Sequence, residues 1–250
     1  MRVSEASRLN PDVSVVCPVF NEEDNVAPLI AEIEAALGPR GAFEILIVDD
    51  CSTDATPERL AALSADRPHL RVLRHGANAG QSRALRTGVL AARASLVVTL
   101  DGDGQNDPAD MPALLDQLRR DGAPADLGMV AGQRRRRKDT LAKRWASRAA
   151  NGVRKRILQD GADDTGCGLK AFEREAFLRI PYFDHVHRYL PAMMLREGYR
   201  VEYRDVGHRP RRYGVSKYTN WRRAAVAVRD LLGVVWLRQR CRSPGPVREL

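Results

Sequence analysis

Cysteine is scarce in this 250-residue chain: Cys17, Cys51, Cys167 and Cys241 lie far apart and form no CxxC pair. Neither a zinc cage nor a disulfide framework is indicated, and the pattern suits a reducing compartment. No apolar run approaches the ~20 residues that cross a bilayer. The opening stretch, MRVSEASRLNPDVSVVCPVF, has no cationic start followed by an apolar segment of signal length. The chain is therefore expected to be cytoplasmic, at most peripheral on the cytoplasmic face of a membrane. Aromatic residues make up 6% of the sequence and, Trp145 apart, do not interleave with the basic run. With no recognised DNA- or RNA-reading motif, a nucleic-acid-binding module is disfavoured. The first predicted strand leads into PVFNEE, not GxGxxG, which argues against a dinucleotide-dependent dehydrogenase.

Positive charge is plentiful. Forty-one Lys and Arg oppose 32 Asp and Glu, giving +9, with the excess concentrated in RRRRK at 134–138 and onward to Arg156. Such a field attracts phosphate, whether of nucleic acid, anionic lipid or a nucleotide diphosphate, and the alternative is a merely solvated basic face.

Hydrophobic patterning predicts one α/β domain. Val13 to Cys17 reads as a buried strand stopping at Pro18. Val26, Leu29, Ile30, Ile33 and Leu37 follow at helix spacing, with Gly38 in the position that favours a left-handed residue. Phe43 to Val48 is a second strand running into Asp49-Asp50, and Thr56-Pro57 reads as an N-cap with proline at the first helical position. Further strands are predicted at 70–73, 96–100, 127–131 and 200–206, with helices at 81–94, around 187–197, and along a basic stretch carrying Trp145, Ala149, Val153 and Ile157. A last helix, about 221–237, places Ala224, Val228, Leu231 and Val235 on one face among arginines. It reads either as an amphipathic membrane-surface helix or as an ordinary helix packed on the sheet. Alternation of this kind implies a mostly parallel sheet flanked by helices, with ligands beyond the carboxyl ends of the strands. Phe20 to Glu22, Asp49 to Asp54, Asn78 to Arg83 and Asp101 to Gln105 then converge on one rim.

Asp101-Gly-Asp103 after an apolar strand offers two carboxylates to one hard cation, magnesium or manganese, which in turn would neutralise a diphosphate. Aspartates in glycine turns also occur for conformational reasons alone. Asp49 and Asp50 offer carboxylates to a ribose or a base edge, or else close a turn and cap a helix. Arginines fork to phosphate oxygens, so Arg134 and its neighbours are candidates for a phosphate face.

The ordered segments PVFNEEDNV, VDDCSTDAT, NAGQSRALRTG and DGDGQNDP, followed by AGQR, DTGCGLKAF and HRPRRYGVSKY, resemble the GT-A domain of family 2 glycosyltransferases. More narrowly, the chain is similar to the polyprenol-phosphate and dolichol-phosphate glycosyltransferases, over roughly Val13 to Tyr218. The resemblance implies a Rossmann-like GT-A domain at 13–218, between an N-terminal tail (1–12), the possible membrane-surface helix (219–240) and a C-terminal tail (241–250). It implies an inverting transferase that moves a sugar from a GDP- or UDP-linked donor to a lipid phosphate at a membrane surface, with Mg2+ or Mn2+. By position, Pro18, Phe20, Asn21, Glu22, Asp49, Asp50 and Arg83 match donor-binding residues, and Asp101, Asp103 and Gln105 match the metal and diphosphate motif. Arg134 and Arg148 match arginines that reach donor and acceptor phosphates, and Arg211, Ser216 and Lys217 match the segment that closes over the acceptor phosphate. Asp103 or Asp164 would be the base were the acceptor instead a sugar hydroxyl. His208 and Arg209 receive no role. Cys51 departs from the pattern, standing where glycine is usual, and the transmembrane helices of many relatives are absent from this sequence.

Overall fold

A computed structural model of the chain describes residues 10–134, 152, 154–210 and 220–241, and for 220–225 the backbone only. Seven strands form one sheet in the order β3-β2-β1-β4-β6-β5-β7. They are β1 (Val13–Val19), β2 (Phe43–Asp49), β3 (Leu70–Arg74), β4 (Leu96–Thr99), β5 (Leu127–Arg134), β6 (Lys170–Glu173) and β7 (Arg200–Val206). β6 runs antiparallel to both neighbours, and every other pairing is parallel. The helices are α1 (Val26–Leu37), α2 (Thr56–Ala65), α3 (Gln81–Ala91), α4 (Met111–Arg119), α5 (Arg174–Arg179), α6 (Leu190–Arg196) and α7 (Asn220–Gln239), with a further short helical stretch at 154–158.

Both faces of the sheet are covered, so the central strands are mainly apolar on both sides rather than alternating, with Ser14 and Glu44 a buried hydrogen-bonded pair at 2.6 Å. Val15, Cys17, Val19, Ile45 and Ile47 face α1 and α4, whereas Val16 and Leu46 face α3, α5 and α6. Gly88 lets α3 lie close on the sheet, since a Cβ there would collide with Val16.

Several boundaries differ from the sequence reading. β1 continues through Pro18 to Val19. The even residues of β1 bond toward β4, as Leu100 N–H to Val16 O shows, and β4 stops pairing at Val16, so the missing proline N–H falls where no partner strand remains. Gly38 stays right-handed and opens a 3-10 turn, and the left-handed break comes at Gly41, φ 129°. Thr56 is not the cap of α2. Its hydroxyl accepts from the Glu22 N–H at 2.9 Å, while the Asp54 carboxylate takes the Thr56 N–H at 3.0 Å. α3 ends at Ala91, and α4, β6 and α5 were not anticipated.

The last helix also differs. Leu231, Val234 and Val235 pack into the body, but Val228, on the same predicted face as Leu231 and Val235, is 60% exposed. This helix is apolar around much of its circumference, so spacing alone could not single out its inner face. Most of the predicted basic helix, including Trp145, Ala149 and Val153, lies outside the described residues.

Candidate active site

Each parallel strand delivers its following loop to one edge of the sheet, and β6, running the other way, delivers the loop that precedes it. The carboxyl ends of β1, β4 and β5 and the segment at 160–169 therefore meet. They enclose, with α3 and the entry to α6, a cavity of about 350 Å3. Of the residues expected from sequence, Pro18, Asp101, Arg134 and Asp164 line it, and Gln81, Lys170, His187 and Arg188 join them.

Asp101 is the centre of charge. Its carboxylate accepts from Gln81 Nε2 at 2.7 Å. Burial, then the neighbouring charge of Asp103, raises its pKa to about 6, against the opposing influence of Lys170, Arg134 and the Gln81 hydrogen bond. The Cys17 thiol at the end of β1 is pushed up by burial and then by Asp101, Asp103 and Glu22, which sets those carboxylates around one strand tip. Asp103 takes the Gln105 backbone N–H on Oδ1 at 3.1 Å, and Asn106 Oδ1 accepts the Asp101 N–H at 3.2 Å, so the DGDGQN loop is shaped by its own side chains.

A buried carboxylate raised by a second one is a site that a divalent cation would relax. Among the described residues no cluster of three or more His, Cys, Asp or Glu side chains could hold a metal. Magnesium is bound through one or two carboxylates with the remaining oxygens supplied by phosphate and water, and manganese takes oxygen ligands of the same kind. Asp101 and Asp103 fit this part.

The cations opposite are held in place. Arg134, at the end of β5, forks onto Asp164, with Nη2 2.7 Å from Oδ1 and Nε on Oδ2. Burial works against its charge, but Asp164 keeps the guanidinium above its ordinary value. Lys170, the first residue of β6, is 4% exposed and donates to Cys167 O. Burial lowers its pKa, and Cys167, Asp101 and Asp164 favour the charged form.

The other expected residues shape the rim. Asn21, φ 54°, receives the Thr53 N–H on Oδ1 at 2.8 Å, and its own N–H donates to Ser52 Oγ at 2.8 Å. Glu22, between Phe20–Asn21 and α1, accepts from Asn25 Nδ2 at 2.6 Å. Asp49 and Asp50, expected at the nucleotide, are engaged within the chain. Asp49 Oδ1 takes the Ser52 N–H at 2.9 Å while Oδ2, 3.2 Å from Arg74 Nε, has no aligned hydrogen bond. Asp50 holds His75 Nδ1 at 2.7 Å and the N–H groups of Ala79 and Gly80 at 2.9 and 2.7 Å. Cys51 adopts φ 65°, the conformation in which glycine is usual. Arg83 stacks on Tyr182, 3.8 Å from its ring centre. Arg209 pins the exit of β7 over this loop, its N–H on Gln105 O at 2.9 Å and its guanidinium on Glu32 at 2.6 Å and Asp107 at 2.7 Å. Arg148, Arg211, Ser216 and Lys217 lie outside the described residues.

Lys170 and His187 were missed from sequence, and Gln81 was expected only as part of the 78–83 rim segment. Lys170 sits in DTGCGLKAF, where a lysine flanked by Leu169, Ala171 and Phe172 was the available signal.

The cavity, with Asp101 facing the Arg134–Asp164 pair and Lys170, sits at the carboxyl edge of the sheet, where ligands of parallel α/β folds bind. The chain matches the model for "Glycosyl transferase family 2" over residues 14–180, and it belongs to that family. It is 34% identical over 239 residues to a dodecaprenyl-phosphate galacturonate synthase of Rhizobium johnstonii, covering 94% of this chain and 69% of that protein. It is 31% identical over 210 residues to an undecaprenyl-phosphate 4-deoxy-4-formamido-L-arabinose transferase of Pectobacterium carotovorum, covering 83% of this chain and 63% of the other. In fold it matches the glucosyl-3-phosphoglycerate synthase of Mycobacterium tuberculosis, solved with Mg2+ and UDP, at a TM-score of 0.68 and 19% identity, covering 96% of this chain and 84% of that one. The protein is thus a glycosyltransferase of the α/β, GT-A type.

Proposed function

We propose that this enzyme transfers a sugar, with inversion, from a GDP- or UDP-linked donor to a polyprenyl or dolichyl phosphate at the cytoplasmic face of a membrane. The observation that carries this is the meeting of Asp101 with Arg134–Asp164 and Lys170 on one cavity. Its support from relatives is that two are named for transfer to polyprenyl phosphates.

Asp101 and Asp103 would hold the Mg2+ or Mn2+, with Gln105 beside them, and the ion when bound would supply charge neutralisation for a departing diphosphate. Arg134, oriented by Asp164, would present N–H groups not used in that fork to the same phosphates, and Lys170 would add a cation that needs no reorganisation. A lipid phosphate is already anionic, so its oxygen attacks without a proton-abstracting residue and the protein's work is alignment. Arg148, Arg211, Ser216 and Lys217 are assigned to the acceptor phosphate, and Pro18, Phe20, Asn21, Glu22 and the rim built by Asp49, Asp50 and Arg83 to the nucleotide.

No helix among the described residues is long and apolar enough to cross a membrane. α7 instead exposes Val228, Leu232 and Trp236 one turn apart, 60%, 65% and 57% accessible, with the Arg240 guanidinium 5.9 Å from the Trp236 ring centre. An apolar stripe with cations beside it suits an anionic bilayer surface.

The test is partition of radiolabelled sugar into organic solvent with and without polyprenyl phosphate, across GDP- and UDP-linked sugars selected by metal-dependent thermal stabilisation. Label appearing in the organic phase only with the lipid phosphate and a divalent cation is the expected result. Label entering a water-soluble glycan instead would overturn the acceptor assignment.

A further inference from the structure

His187 borders the cavity and is held from behind by another element. Ser82, fully buried in the first turn of α3, places Oγ 2.7 Å from His187 Nδ1 and 3.4 Å from the His187 backbone nitrogen. A backbone N–H only donates, so Oγ accepts that bond and its own hydrogen is available to Nδ1. Where Ser82 donates it, Nδ1 is unprotonated and the ring proton sits on Nε2. Burial first, then the charges of Arg188, Lys170 and His185, bring the imidazole down to about 3 and keep it neutral. No other hydrogen bond to the ring forms among the described residues.

A neutral ring of fixed tautomer, tied to the scaffold at one nitrogen, is suited to donating a hydrogen bond and not to exchanging protons. An imidazolium would be the stronger phosphate ligand, and the site prevents it from forming. The cations of the cavity serve the phosphates, and an uncharged donor matches an uncharged oxygen. We infer that His187, through Nε2–H, reads an oxygen of the donor's sugar, and that Ser82 is the positioning residue that fixes its tautomer. This rests on the nucleotide-sugar reading above.

The test uses the full chain with His187→Leu, His187→Gln and Ser82→Ala, the glutamine amide reaching about as far as Nε2. Affinities are measured for the nucleoside diphosphate alone and for the nucleotide sugar, and the imidazole nitrogens are followed by 15N NMR. His187→Leu should weaken the nucleotide sugar roughly tenfold to a hundredfold, the loss of one buried hydrogen bond, and leave the bare diphosphate unchanged. His187→Gln should restore most of that loss. The parent should show a proton on Nε2, and Ser82→Ala should mix the tautomers and raise the donor KM with little change in kcat. A proton on Nδ1 in the parent, or equal weakening of both ligands by His187→Leu, overturns the inference while leaving the transferase reading in place. A parent that binds neither ligand overturns both.

Discussion

The Asp101 carboxyl group lies against Gly168, where a Cβ would collide with its carbon and both oxygens. The glycine is required here by proximity, since its φ is not in the left-handed range. Gly168→Ala should push Asp101 out of position. Transfer is expected to fall at least roughly tenfold, as misplacement of a catalytic group does, with an unchanged circular dichroism spectrum and a higher metal concentration needed for half activity.

Asp101 should cost the empty enzyme stability. A folded-state pKa of about 6 lies above the ordinary 3.8, so the folded protein takes up this proton more readily than the unfolded chain. The penalty is fully present above pH 6 and fades as pH falls toward 4. Metal-free protein should therefore gain thermal stability on acidification from pH 7 to 5. Asp101→Asn should flatten that gain, melt roughly 2–4 °C higher at pH 7, and abolish metal-dependent transfer. Activity of the parent should decline as pH drops through 6, where protonation competes with the cation.

The first half of the fold was legible because each element has its own local signal: β-branched runs for β1, β2 and β4, helix spacing for α1, and proline near the start of α2. β6 gave little, being four residues that begin with a buried lysine and pair to both neighbours. At the site, the acidic loops could be found because their residues are adjacent in sequence. The strand-end rule set Gln81 and Asp101 on one rim without pairing them, and Ser82 with His187 could not be found, because 105 positions separate the partners and only the fold joins them.

Cys51 holds a conformation that costs a side-chain-bearing residue energy, and its thiol gains only a long 3.8 Å contact with Gly76 O. Cys51→Gly should stabilise the turn by up to about 1 kcal/mol, the strain relieved being partly offset by the greater freedom of glycine when unfolded. Urea denaturation of the two proteins checks this, with an unchanged slope expected.

The exposed stripe of α7 predicts a surface phenotype separable from folding. Leu232→Ser with Trp236→Ser should reduce co-sedimentation with anionic phospholipid vesicles severalfold while leaving the melting temperature within about 2 °C, since neither side chain is in the core. Unaltered co-sedimentation would assign the stripe to another partner.

The reversed strand β6 divides the molecule in a way that bears on how such enzymes diversify. The DGDGQN loop belongs to the stretch before residue 110, whereas Arg134, Asp164, Lys170 and His187 all come after it, and the two stretches join along the β4–β6 seam. Exchanging the later stretch between homologues would carry Arg134, Asp164, Lys170 and His187 across together, while Asp101, Asp103 and Ser82 stay as they were.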